Sequence, residues 1–177
     1  MAENVLSTET AETSWGDVHV MMGKPGESGA MSTTLEDLGS IDAEGLSFET
    51  TDGAVYQLKD INGKLIDELR QEPDLAINFT LLKPSEATRG KFWDTEVSGT
   101  GNDRKQRVKS LITQEKYSLK LANPSVTGSE TFEAPCCLVT MKPAYSSQKG
   151  FTAECTARLL KGQAGYLFDF GVVAAAV

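Results

Sequence analysis

One histidine, three cysteines and scattered carboxylates are the residues of this 177-residue chain that chemistry would use. His19 lies between Val18 and Val20 in an alternating run. A general base needs a group that orients its ring, and none stands beside it in sequence. The reading is a packed or surface residue of a strand. Cys136 and Cys137 are adjacent, and neighbours on a strand point to opposite faces, so their thiols do not converge on one ion. A zinc site wants ligands two to four residues apart and a second such pair. Cys155 stands alone, and an odd count speaks against a disulfide framework. Buried free thiols are the expectation.

The close carboxylates are Glu36-Asp37, Asp42 with Glu44, and Asp67-Glu68. None has the spacing and glycine of a calcium loop. A glycosidase pair assembles only in three dimensions, and an aromatic content of 7% leaves little for a sugar-stacking cleft. The run Glu27-Ser28-Gly29-Ala30-Met31 resembles part of a phosphate loop, but no Gly-Lys-Ser or Gly-Lys-Thr follows. Cations cluster once, as Arg104, Lys105, Arg107 and Lys109. Such a cluster can touch phosphate. In an acidic chain without interleaved aromatics, pairing with an acidic patch on another copy is the reading preferred. The sequence thus offers no catalytic residue, no cofactor site and no metal ligand set.

Composition agrees with a folded protein whose product is shape. The apolar share is 40% and the charged share 24%, ordinary for a globular chain. The formal net charge of -8 disfavours tight nucleic-acid binding and favours solubility; it also suits a surface past which nucleic acid slides. No run of about eighteen apolar residues reads as a membrane span. The polar start lacks the pattern of a signal peptide, so synthesis in a cytoplasm is expected. Residues 1–14 read as a flexible arm, and 15–177 as one domain.

Alternation places the strands. Val18, Val20 and Met22 mark a first strand. Leu46 with Phe48, Tyr56 with Leu58, and Leu75, Ile77, Phe79 and Leu81 each fall on one face. Asp52-Gly53 and Asn62-Gly63 suit two-residue hairpin turns, which need positive φ, so consecutive antiparallel strands are expected from 44 to 82. Pro84 and the run Ser85–Trp93 predict a short helix. Residues 95–107 read as loop. Strands are expected at 108–113, 116–122, 136–142, 151–159 and 166–170. The fold class is mainly β, an antiparallel sandwich or barrel of nine or ten strands with one short helix.

Two features ask for a partner. The hairpin Tyr56–Leu69 carries Leu58, Ile61, Leu65 and Ile66 on both faces of its distal half, and a projecting hairpin cannot bury both on its own body. The uncharged tail Val172–Val177 is suited to adding to a neighbour's sheet or covering this one.

Laid out this way, the chain resembles bacteriophage major tail tube proteins. The resemblance lies in LGSIDAEGLSFETTDGAVYQLKDINGKLIDE, in LAINFTLLKPS before the short helix, and in FTAECTARLLKGQAGYLFDF. It rests on layout and turn placement over residues 15–171. It implies a hexameric ring, stacked into a hollow tube, with inner sheets joined into a continuous barrel. The ring protein of type VI secretion is related in fold. The partners implied are other copies of the chain, then tape-measure, tail-terminator and baseplate proteins. DNA would pass the lumen without specific binding, and no membrane is involved. The place implied is the virion. The hairpin would be the contact between rings or subunits, and the arm would order on assembly. The other readings are a ring protein of a contractile injection system, and a β-sandwich module binding carbohydrate or protein.

Overall fold

The strands form where apolar side chains recur at every second residue and can be covered on one face. On β6 (Asp74–Leu82), Ile77, Phe79 and Leu81 are buried and the residues between them half-buried. On β11 (Gly150–Leu159), Ala153, Cys155, Ala157 and Leu159 point inward while Glu154, Thr156 and Arg158 face solvent. This period of two is what a half-covered sheet requires. The structure is a computed structural model that describes residues 18–42, 44–112 and 115–173. The expected arm and the last four residues of the tail lie outside the described residues.

The remaining elements are β1 (His19–Gly23), β2 (Glu36–Ser40), β3 (Ser47–Thr51), β4 (Val55–Lys59), β5 (Leu65–Arg70), α1 (Glu86–Phe92), β7 (Trp93–Ser98), β8 (Lys105–Leu111), β9 (Lys116–Ala122), β10 (Glu130–Ser146) and β12 (Asp169–Val172). The protein is mainly β, its sheets are antiparallel, and α1 is the one α-helix among the described residues. Eight strands form the main sheet in the order β2-β1-β9-β10-β11-β6-β3, with β12 also on β10. Ile41 makes a single bridge to Leu81, so the sheet curls toward closure without becoming a closed barrel. The hairpins β4-β5 and β7-β8 are separate two-stranded sheets.

The order corrects several expectations. Asp52-Gly53 does not turn β3 back onto β4. Instead β3 pairs with β6, Thr51 opposite Asp74, and 52–73 is an excursion from that ladder. Gly53 is needed at its base for a different reason: a Cβ there would meet the Gln71 carbonyl oxygen at 2.1 Å. The Gln71 N–H donates to the Ala54 carbonyl at 3.0 Å and closes the base. Residues 95–107 are not all loop: 95–98 belong to β7 and 105–107 to β8, and 99–104 connect them. That ladder is largely solvent-exposed on both arms, so it shows no apolar period to read. Strand β10 runs from Glu130 to Ser146, well past both expected ends. Pro143 fits because β9 stops pairing at Leu138, leaving that edge of β10 free of ladder bonds. Tyr166 and Phe168 precede β12 rather than forming it.

Helix α1 begins where expected. Ser85 Oγ accepts the Thr88 N–H at 3.0 Å, and Glu86 lies in the first turn. Phe92 is buried at its end, and the Trp93 indole N–H donates to the Met141 carbonyl at 2.8 Å, which pins the helix to β10.

Phe79 belongs to the core and the hairpin β4-β5 does not, and the two should differ in thermodynamic weight. Phe79→Ala is expected to lose about 3–5 kcal/mol. Ile61→Ala at the hairpin tip is expected to change stability by less than about 0.5 kcal/mol. Urea unfolding of the three proteins at low concentration measures both.

Candidate assembly surface

The ribbon β4-β5 is built by its turn. Asp60 Oδ1 accepts the N–H groups of Asn62 and Lys64 at 2.9 and 2.7 Å. The Asp60 N–H donates to the Lys64 carbonyl, and Gly63 takes φ +79°. The loop is therefore three residues, Ile61 to Gly63, with glycine in the left-handed position, rather than the two-residue turn expected.

Cross-strand partners share a face. Tyr56 opposes Leu69, and Leu58 opposes Asp67; Gln57 opposes Glu68, and Lys59 opposes Leu65. Ile66 is the extra residue of a bulge between Leu58 and Lys59. One face thus carries Tyr56, Leu58 and Leu69, and the other carries Val55 and Leu65. Of the four residues expected at the contact, Leu58 and Leu65 lie on opposite faces. Ile61 is fully exposed at the tip and Ile66 is 62% exposed. Val55, Tyr56 and Leu69 belong to the same surface and are equally bare. The Gln57 amide donates to Glu68 at 2.8 Å, and Arg70 binds the same carboxylate at 2.6 Å; together they hold Glu68 below the usual carboxylate range. Every other residue of the two strands is exposed. Burying one large aliphatic side chain is worth about 1.5–3 kcal/mol, a contribution that these exposed side chains do not make to the fold.

A second apolar surface went unread in the sequence. Phe132 of β10 packs against Phe48, Phe168 and Phe170 with ring centroids 5.0 to 5.9 Å apart. Phe48 and Phe170 remain 52% and 65% exposed at the mouth of a pocket of about 190 Å³. Its wall includes Asn123, which is 4% exposed and whose Nδ2 has no hydrogen-bond partner among the described residues. The alternation of Phe168 and Phe170 was the only signal. Tail residues Val172 and Val173 add to the chain's own sheet, pairing with Glu130 and Ser129.

The residues that could do chemistry are held elsewhere. His19 has a partner that its sequence neighbours do not show: its Nδ1 donates to Asp37 Oδ2 at 2.6 Å across β1 and β2. Glu36 pairs with Lys91 and Asp42 with Lys149, so these carboxylates are spent on ion pairs. Arg104 binds Glu86 of α1 at 2.6 Å and Lys109 binds Glu96 of β7 at 3.1 Å, which takes half the basic cluster into pairs within the chain. Cys136, Cys137 and Cys155 are free and buried, and burial pushes the thiols of Cys137 and Cys155 up to about 12. Among the described residues no three His, Cys, Asp or Glu side chains converge on a metal position, and no helix is long and apolar enough to cross a membrane.

Two measurements follow from these groups. The native thiols should resist a thiol reagent at pH 8 and all three should react in denaturant. Partial burial pushes the Asp37 carboxyl up, but the Gly39 N–H and His19 outweigh it and hold it below its ordinary 3.8. A lowered folded value stabilises the fold above the ordinary value and loses that contribution as pH falls through the folded one. Asp37→Asn should therefore be less stable than wild type at pH 7, and the gap should narrow below about pH 4 in urea titrations. The sequence matches no protein-family model, and no curated protein matches it.

Proposed function

We propose that the chain is a structural protein of a bacteriophage tail, building hexameric rings that stack into the tube through which DNA passes. The observation that carries this reading is the ribbon β4-β5, a two-stranded sheet with large apolar side chains exposed on both faces. A soluble monomer has no use for such a surface, whereas an assembly buries it. The mainly antiparallel β body with strand edges at β2, β3 and β12 supports the same reading, because open edges accept neighbouring strands. The net charge of -8 suits a conduit that DNA must leave without sticking. Leu58, Ile61, Leu65 and Ile66 act here as assembly residues. Tape-measure, terminator and baseplate proteins are the partners this role calls for. A ring protein of a contractile injection system would present the same features.

The aromatic pocket favours a second reading, a β module that binds a protein ligand and stays monomeric. Light scattering over a concentration series, followed by negative-stain electron microscopy, separates the two. Rings or tubes that appear with rising concentration, and disappear on deletion of Ile61 to Lys64, are the expected result. A chain that remains monomeric throughout would sink the tube reading.

A further inference from the structure

We infer that the ribbon tip of one copy seats in the aromatic pocket of a second copy, with Ile61 as the apolar anchor. This rests on the self-assembly reading above and names the surface that receives the ribbon.

Size is the first argument. A pocket of about 190 Å³, opening between Phe48 and Phe170 with Leu121 and Phe132 behind them, is on the scale that holds one small apolar group. Ile61 is a single branched side chain, fully exposed at the end of a narrow ribbon.

Charge is the second. Lys59 and Lys64 flank the tip, and neither ammonium is in an ion pair among the described residues. The Asp60 carboxylate between them is engaged by the backbone of the turn. At the pocket, Glu130 is exposed and likewise unpaired. The Lys59 and Lys64 ammonium groups and the Glu130 carboxylate attract and set the register of docking.

The contact is made between copies, since within one chain Ile61 is fully exposed and its own pocket is open. It is also heterologous, tip on one copy and pocket on the other. Each bound pair keeps one unused tip and one unused pocket, so addition continues until a ring closes or a fibre grows.

The buried native thiols make a direct test possible. Ile61→Cys protein is mixed with Glu130→Cys protein, oxidised mildly and run on a non-reducing gel. A disulfide needs Cα atoms within about 7 Å. A covalent heterodimer should form in that mixture and not when Ile61→Cys is mixed with Ser110→Cys, which lies exposed on β8. Ile61→Asp should weaken self-association at least about tenfold in sedimentation, with an unchanged monomer fold. Equal linkage in both mixtures overturns the inference. So does no linkage from a protein that still assembles, an outcome that leaves the tube reading standing. Specific linkage without rings or tubes supports the pocket and removes the tube reading. A monomer that never links removes both.

Discussion

Strand β10 is the member that the other elements depend on. It pairs with β12 and β9 along its first residues and with β11 along its last ten. Cys136 and Cys137 are adjacent and both buried, so this strand must be covered on its two faces at once. The curl of the sheet covers the Cys137 face, and the turn after β11, with Gly162 close against Cys136, covers the other. A flat sheet leaves one face of its central strand to water; a curled one lets Ile77, Leu119 and Val139 meet in a single interior. Helix α1 and Trp93 then close the part of β10 that β9 no longer reaches.

The pairing of β3 with β6 separates the molecule into a body and a projection. Once Thr51 stands opposite Asp74, the chain between them has no place in the main sheet. Its strands can satisfy their backbone groups only with each other, and one layer cannot shield its own two faces. An isolated hairpin is marginal in water at best. The Asp60 turn and the Gln57, Glu68 and Arg70 group keep it formed while its apolar side chains stay available.

Much of the body was legible because period two survives wherever one face is dry. Phe79 and Leu81, Leu119 and Leu121, and Ala153 through Leu159 were placed correctly on that ground alone. Existence of the β4-β5 ribbon was also legible, from Asn62-Gly63 and the apolar residues around it. Pairing partners were not. Asp52-Gly53 carries the composition of a turn, yet Gly53 is there for close approach to Gln71. Most of β7 and the start of β8 have no dry face and so left no pattern. The pocket draws Phe48, Phe132 and Phe170 from three distant strands, and nothing local marks residues that meet only when a sheet curls. His19 and Asp37 came together for the same reason, across a ladder rather than along the chain.

The in-register base of the ribbon has a consequence for its reach. Because β3 and β6 carry their ladder to completion without the excursion, the excursion's length is not tied to the interior. Adding one residue to each arm would advance the tip by about 3.4 Å and turn every apolar side chain beyond the insertion to the opposite face; adding two would advance it by about 7 Å and restore their facing. The ribbon is in this sense a ruler with graduations of two residues, and its reach from the body is written in the number of its rungs.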